Sequence, residues 1–202
     1  MVCTNVENIP GADVEVVAKG MGLDKRIGEK FLKAGVGYGG SCFPKDTLAI
    51  AAFARSMGSE LRIVEAASSV NDHRIEHAMA FIESSSLRGI GDETVGILGV
   101  AFKDSTDDIR ESQSLKLIES LLPKVKAINV FDPVFSGHIE GTVRCGSVEE
   151  CVSGSDIVVV ATEWPQFVEL PEDAKHKTVI DLRRILNPLV FERFMAIGYG
   201  NR

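Results

Sequence analysis

A cysteine follows a run of glycines, and charged residues lie close behind it. The segment reads Lys33-Ala-Gly-Val-Gly-Tyr-Gly-Gly-Ser-Cys42-Phe-Pro-Lys-Asp46. We expect a helix to begin here, with Ser41 as its N-cap and Cys42 in its first turn. A thiol at a helix N-terminus beside Lys45 should have a lowered pKa and act as a nucleophile. Asp46 lies four residues on, on the same helix face, where a carboxylate can activate a water against a covalent intermediate.

The alternative interpretation of this segment is structural. Cys42 would then be a small buried hydrophobic residue, and Asp46 a first-turn charge that complements the helix dipole. The glycines, the capping serine and the Lys/Asp pair together favour chemistry. Gly35, Gly37 and Gly40 match the letters of G-x-G-x-x-G, but no strand precedes them, so we do not interpret them as a dinucleotide fingerprint.

Two further segments carry charged groups that could bind a ligand. Residues 102–112 follow a predicted strand and offer Lys103, Arg110 and backbone N–H groups, which predicts either a phosphate site or a solvated acidic loop that caps the next helix. The sequence leaves these two interpretations open. Asp181-Leu-Arg183-Arg184 ends the last predicted strand. The two arginines would either form a fork that faces the ligand crevice at the carboxyl ends of the strands or lie as a pair on the surface.

The periodicity of apolar residues indicates how these segments are positioned. Residues 12–86 have helical periodicity, and residues 59–83 are predicted as one long connecting helix. After residue 93, Val- and Ile-rich segments alternate with helices, which predicts a doubly wound, mostly parallel Rossmann-like α/β sheet. The predicted strands are 94–100, 127–131, 142–144, 156–161 and 178–181, and the predicted helices are 112–122, 148–152 and 164–170. We therefore divide the chain into a helical region, 1–92, and an α/β domain, 93–202.

Composition excludes several classes of protein. The 202 residues are 45% hydrophobic and 25% charged, as in ordinary globular chains. A net charge of −7 argues against a nucleic-acid partner. No apolar stretch approaches the ~18 to 20 residues of a membrane helix, and the first residues lack a signal-peptide pattern, so we expect a cytoplasmic protein with no membrane segment. The four cysteines are scattered without metal-ligand spacing, so we expect no metal site.

Several motifs together resemble those of the UDP-glucose/GDP-mannose dehydrogenase family. Residues 24–46 resemble its catalytic stretch, and Phe102-Lys103 with Thr106-Asp-Asp-Ile-Arg-Glu-Ser112 resembles its F-K-x-x-T-D-D-x-R-E-S loop. Phe131-Asp-Pro, Ala161-Thr-Glu-Trp and Asp181-Leu-Arg follow in the family's order. The resemblance covers residues 11–190. Members oxidise the C6 alcohol of a nucleotide sugar to a carboxylate in two NAD-dependent steps.

The resemblance implies a role for each matching residue. Cys42 would attack the C6 aldehyde to give a thiohemiacetal and then a thioester, and Asp46 would assist the hydrolytic water. Arg26 would cross to the substrate of a neighbouring subunit, which implies a homodimer built on the 1–92 region. The other implied contacts are Lys33, Ala34, Gly35, Val36, Gly37, Tyr38, Gly39, Phe102, Lys103 and Arg183 with substrate, and Cys42, Phe43, Pro44, Lys45 and Arg110 with NAD.

The resemblance also has limits. Ser41 and Ala161-Thr-Glu-Trp164 favour UDP-glucose, with GDP-mannose next, and imply a role in polysaccharide biosynthesis. Leu182, directly after Asp181, stands where the family often has glycine, and residues 2–10 match poorly. The family's N-terminal NAD domain is not in these residues, so we expect a C-terminal portion that does not turn over alone. A nucleotide-sugar-binding module without catalysis and a structural dimerisation fragment are the alternatives.

Overall fold

The computed structural model describes residues 2–200. Residues 2–85 contain five α-helices and none of the strands of the sheet. The helices are α1 (Val2–Glu7), α2 (Val14–Gly22), α3 (Phe43–Ser56), α4 (Arg62–Asp72) and α5 (Arg74–Ser85). Asp13 caps α2, since its Oδ1 accepts a hydrogen bond from the backbone of Glu15 at 2.9 Å. Pro44 lies in the first turn of α3, where its missing N–H has no helical partner to lose.

The prediction of one long helix at residues 59–83 is wrong, because the structure divides this segment into α4 and α5 at His73. The His73 ring Nδ1 lies 2.6 Å from the carbonyl oxygen of Ser69. The backbone N–H of His73 reaches the same oxygen only at 3.4 Å. The imidazole thus competes for a carbonyl that the helical ladder would use, and the helix breaks there.

A six-stranded parallel sheet follows, in the order β3-β2-β1-β4-β5-β6. Its strands are β1 (Thr94–Leu98), β2 (Ala127–Phe131), β3 (Val143–Arg144), β4 (Ile157–Val160), β5 (Thr178–Asp181) and β6 (Arg193–Ala196). Helices α6 (Gln113–Leu121) and α7 (Val148–Ser153) are among its connections. The predicted α/β fold with a doubly wound parallel sheet is confirmed. The order reverses between β1 and β4, so a crevice for ligands is expected at their carboxyl ends.

Two local predictions in this region are wrong. The helix expected at 164–170 is a single 3-10 turn, Pro165–Phe167. Trp164 precedes a proline, which favours an extended backbone, and its ψ is 136°. Strand β6 was not predicted, since its four residues lie at the sheet edge and only Ala196 among them is buried.

Two aspartates at strand ends fold the following loops back onto the sheet. Asp132, after β2, accepts hydrogen bonds from the backbone N–H groups of Val100, Ala101, Val134 and Phe135. Asp181, the last residue of β5, is fully buried. Its carboxylate accepts from the backbone N–H groups of residues 183, 184, 185 and 186 at 2.7–2.9 Å. Asp181 therefore determines the path of the loop that carries Arg183.

Replacing Asp181 should destabilise the domain strongly. Asp181→Ala leaves four backbone N–H groups, one of them buried and three part-buried, without their acceptor, so we expect the free energy of unfolding to fall by about 3 to 5 kcal/mol. Urea denaturation followed by circular dichroism measures this change. The exposed Asp173 makes a matched control, and Asp173→Ala should change stability by less than about 0.5 kcal/mol. Equal stability of the two variants would contradict the role of Asp181.

Candidate active site

The glycine loop, residues 33–40, packs backbone to backbone against the loop after β1. A Cβ added at Gly39 would overlap the carbonyl oxygen of Glu111, and one at Gly40 would lie 2.8 Å from the ring of Phe102. The N–H of Gly40 donates to the carbonyl of Arg110 at 3.0 Å. Only glycine allows so close an approach. The first two motifs of the sequence therefore meet in space.

Two buried amide side chains, which sequence reasoning missed, hold the middle of this loop. Asn71, near the end of α4, accepts from the N–H of Tyr38 at 2.7 Å and donates to its carbonyl at 3.3 Å. Gln113, the first residue of α6, donates to the same carbonyl at 2.7 Å. Asn71 and Gln113 are 7% and 6% exposed. No spacing in the sequence marks either residue, because each lies at least 33 residues from Tyr38.

The third motif reaches the beginning of the glycine loop. A Cβ added at Gly35 would lie 3.0 Å from Nη1 of Arg183. Arg183 forms an ion pair with Glu163, another residue that sequence reasoning missed, and both side chains are largely buried. These residues line a cavity of about 70 Å³ together with Glu15, Lys33, Ala34, Arg184 and Ile185. Arg183 is thus fixed beside the loop expected to hold the substrate.

The predicted arginine fork does not form, because the two neighbouring arginines have different partners. Arg184 pairs with Asp13 at 2.6 Å and stacks on the ring of Tyr199, 4.9 Å from its centroid. Its backbone φ is +58°, which turns the chain between the two side chains. Of the two side chains, that of Arg183 is the one that lies against Gly35.

Cys42 lies at the beginning of α3, but it does so differently from the prediction. Cys42 itself is the N-cap residue, with φ −97° and ψ −65°, and Ser41 does not cap the helix. The Ser41 hydroxyl lies 3.7 Å from the Cys42 sulfur instead. The Cys42 side chain is exposed rather than a buried hydrophobic residue, which contradicts the structural alternative for it.

Charged groups surround the Cys42 end of α3 in pairs. Lys45 Nζ donates to Asp46 Oδ1 at 2.6 Å, and this hydrogen bond raises the pKa of Lys45. Arg110 donates through Nε and Nη2 to the Asp108 carboxylate, which lowers the pKa of Asp108 to about 2. Lys45 and Arg110 both lie in the neighbourhood of Cys42. Two cations therefore flank the thiol at an open surface.

The loop after β1 also carries the aromatic and basic pair of its motif. Lys103 Nζ lies 5.6 Å from the centroid of the Phe102 ring, in cation–π geometry. The N-cap of α6 is Ser112, whose hydroxyl donates to the carbonyl of Val100 rather than capping the helix. Phe102 and Lys103 therefore lie in a loop whose two ends are tied together beside the glycines.

Some predicted site residues lie outside this cluster or face away from it. The side chains of Ala34 and Val36 are buried in the core, so only their backbone can face a ligand. Arg26 is highly exposed and pairs with Asp24 at 2.6 Å. Phe43 packs edge-on against Tyr38, with ring centroids 5.9 Å apart, which links the first turn of α3 to the glycine loop.

The remaining cysteines have environments opposite to that of Cys42. Cys145 and Cys151 are buried, and burial raises the pKa of both thiols. Cys3 is half-buried, and its pKa is also raised by burial. Among residues 2–200, no group of three or more His, Cys, Asp or Glu side chains could hold a metal ion, and no helix is long and apolar enough to cross a membrane.

Comparison with protein families matches two segments of the chain. Residues 2–73 match the central domain of the UDP-glucose/GDP-mannose dehydrogenase family, and residues 96–188 match its UDP binding domain. The first match corrects the expectation that residues 2–10 lie outside the resemblance. In the structure this segment is held to the rest of the chain, since Glu7 pairs with His77 at 2.8 Å and accepts a hydrogen bond from the N–H of Gly198 at 2.6 Å.

Individual relatives are similar over most of this chain but extend well beyond it. UDP-glucose 6-dehydrogenase AglM of Haloferax volcanii is 39% identical over 190 residues, which are 90% of this chain and 44% of the relative. UDP-glucose 6-dehydrogenase YwqF of Bacillus subtilis is 37% identical over 174 residues, 83% of this chain and 39% of the relative. The chain thus spans less than half the length of these curated relatives.

Solved structures give the same picture. A UDP-glucose dehydrogenase from Pyrobaculum islandicum superimposes with a TM-score of 0.86 and 34% identity, covering 94% of this chain and 44% of its own. A UDP-D-ManNAc dehydrogenase from Pyrococcus horikoshii gives a TM-score of 0.81 at 26% identity, covering 100% of this chain and 47% of its own. The fold therefore occurs with more than one nucleotide sugar.

Exposure and charge predict that Cys42 is the most reactive thiol of the four. We expect iodoacetamide to modify Cys42 first and Cys151 last, because the thiolate is the reacting form and burial disfavours it. Mass spectrometry of peptides from the folded protein, sampled over time, measures the order. Cys42→Ala should abolish the fast phase while leaving the slow ones. A fast phase at Cys145 or Cys151 would contradict this assignment.

Proposed function

This chain belongs to the UDP-glucose/GDP-mannose dehydrogenase family, and from that premise we propose that it supplies the nucleotide-sugar site and the reactive thiol of a UDP-glucose 6-dehydrogenase. One observation carries the proposal. The glycine loop lies against Arg183 at one end and against Phe102 and the Arg110 carbonyl at the other, and it runs directly into Cys42. A ligand held along this loop would have its reacting end near the thiol.

The binding groups divide by chemistry. Backbone N–H groups of residues 33–39, together with the Arg183 guanidinium and Lys33, suit the sugar hydroxyls and the diphosphate. Phe102 offers a flat apolar face for the nucleotide base, and Lys103 above it adds a positive charge. We assign these residues to substrate binding.

The side chains at the start of α3 account for the second oxidation. The Cys42 sulfur adds to the C6 aldehyde carbon, and the carbonyl oxygen takes up a proton to give a thiohemiacetal. Loss of a hydride from C6, together with the proton of the thiohemiacetal hydroxyl, then leaves a thioester. Water adds to the thioester carbon as Asp46 takes one of its protons, and the carbon–sulfur bond breaks. The departing thiolate recovers that proton from Asp46, and the new carboxylic acid ionises and leaves as the carboxylate.

The residues around Cys42 fit one edge of NAD. Lys45 and Arg110 place two cations beside the N-terminus of α3, as a diphosphate requires, and Phe43 and Pro44 add apolar surface. When bound, NAD accepts the hydride in each of the two oxidations. Lys45, Arg110 and the backbone of Cys42 would hold it close to the thiol.

The substrate and the division of labour are also part of the proposal. UDP-glucose is favoured because the curated relatives cited above are named UDP-glucose 6-dehydrogenases, and GDP-mannose is the second candidate. Since the chain spans 44% or less of those relatives, we propose that the NAD site is completed outside residues 1–202 and that this chain alone is inactive. A cytoplasmic location and a role in polysaccharide biosynthesis stay predictions.

A homodimer remains part of the proposal as well. Arg26 is exposed, as a residue that reaches a neighbouring subunit must be. Helix α3 buries only Ala51 and Ala54, and large apolar side chains of the helix and of its C-cap are exposed: Phe43, Leu48, Ile50, Phe53 and Met57. All of these but Leu48 recur at helical spacing on one side. Such a face favours coverage by another protein surface, and a second copy of this chain fits the Arg26 assignment.

Binding of UDP-glucose to this chain tests the proposed site. We expect calorimetry to detect binding, and Arg183→Ala to weaken it at least about tenfold, because a charge-assisted hydrogen bond to a phosphate is lost. Arg62→Ala is the matched control, since Arg62 is exposed and pairs with Glu60 at the surface. Binding without turnover in the complete protein would favour the binding-module alternative. Absence of heat and of any thermal shift would leave only a structural role.

Turnover by the chain alone is a separate measurement. We expect no NADH absorbance when the chain is mixed with UDP-glucose and NAD, because the proposed NAD site is only partly present. Heat-denatured chain gives the baseline for the assay. NADH formation above that baseline would contradict the proposed division of labour.

A further inference from the structure

We propose that Asn71 is a positioning residue that holds the glycine loop in its ligand-binding shape, with Gln113 as its second support. The inference takes its ligand, UDP-glucose, from the proposed function. The contacts of Asn71 and Gln113 with Tyr38 do not depend on that function. The Asn71 amide engages both the N–H and the carbonyl of Tyr38, at 2.7 and 3.3 Å. One side chain thus fixes the orientation of a single residue through two bonds.

The space around Asn71 shows that the loop is built to receive it. Gly37 has a φ of +111°, and a Cβ added there would lie 2.5 Å from Asn71 Oδ1. A side chain at position 37 would therefore expel the amide. The glycine at position 37 and the asparagine at position 71 are complementary in shape as well as in hydrogen bonding.

Asn71 and Gln113 together form a clamp on Tyr38, and this clamp joins two parts of the fold. Asn71 lies on α4 in the helical region, whereas Gln113 begins α6 in the α/β domain, and both donate to the Tyr38 carbonyl. Both side chains are more than nine-tenths buried, so water does not compete effectively for these bonds. The loop is held from both sides.

The clamp also bears on the thiol. Tyr38 packs against Phe43, which directly follows Cys42 and begins α3. If Tyr38 turns, the ring that supports Phe43 turns with it. Asn71 therefore acts on Cys42 through Tyr38 and Phe43, without touching a reacting atom.

Asn71→Asp tests the clamp with a change of one atom. Near about pH 8 the introduced carboxylate opposes the Tyr38 carbonyl, so we expect UDP-glucose affinity to fall, and hydrogen exchange of residues 35–40 to accelerate, each about tenfold. Burial raises the pKa of such a carboxyl, so near about pH 5.5 it is protonated and its O–H replaces the lost donor. At this lower pH both the UDP-glucose affinity and the exchange rate of Asn71→Asp should return towards the wild-type values. The exchange rates are first corrected for the pH dependence of intrinsic exchange.

Asn129→Asp is the matched control. Asn129 is 9% exposed and donates to the Gly154 carbonyl and the Ser155 hydroxyl, away from the glycine loop. It should lower thermal stability while leaving exchange at residues 35–40 at the wild-type rate. A merely structural effect of burying a charge would make the two variants alike.

The outcomes separate the inference from the proposed function. Exchange at residues 35–40 in Asn71→Asp that equals wild type, or that does not recover at low pH, overturns the clamp. If wild type itself fails to bind UDP-glucose, the proposed function is wrong. The exchange data then still show whether Asn71 holds the glycine loop. If Asn71→Asp does not fold, Gln113→Glu removes the other donor to Tyr38 and must accelerate the same exchange.

Discussion

The close approach of two backbones is the constraint on which the site depends. Residues 39 and 40 lie so near to Glu111 and Phe102 that no side chain fits between them. This contact determines where the glycine loop ends, and α3 begins three residues later, with Cys42 as its N-cap. The same contact joins the helical region to the loop after β1, so it fixes the position of the Cys42 end of α3 relative to Phe102. Flexibility of the glycines serves packing here as much as it serves ligand access.

The sheet supplies the fixed side of this arrangement. Its order reverses between β1 and β4, and the loops that leave those strands are tied together where the Thr162 hydroxyl donates to the carbonyl of Ala101 at 3.0 Å. Asp132 and Asp181 then hold the loops after β2 and β5 through backbone N–H groups alone. Because these anchors are buried carboxylates at strand ends, they fix the beginnings of both loops without using the loops' own side chains. Arg183, which follows Asp181 by two residues, is placed beside Gly35 in this way.

A structural feature can be predicted from this sequence when the residues that form it are close together along the chain. The continuous Val and Ile segments predict β1, β2, β4 and β5 because buried parallel strands require apolar residues on both faces. The helix after Cys42 is predicted correctly although its expected cap is wrong, since Ser41 does not cap it. The break at His73 is missed because an imidazole competes for a carbonyl, and β6 because an edge strand needs no apolar pattern. Asn71, Gln113 and Glu163 are missed for a deeper reason, since their roles exist only through partners distant in the chain.

The charges of the site fall into two kinds, and the difference has a consequence for binding. Lys45–Asp46 and Arg110–Asp108 are exposed or half-exposed pairs, whose separation costs little in water. Lys45 and Arg110 can therefore turn from their carboxylates to an incoming diphosphate. Arg183–Glu163 is largely buried, and breaking it would leave an uncompensated charge. Arg183 is therefore expected to bind with its partner in place, offering the N–H groups that Glu163 does not use. A net charge of −7 therefore does not exclude the diphosphates of the proposed function, because Lys45 and Arg110 near Cys42 and Arg183 beside Gly35 are local cations.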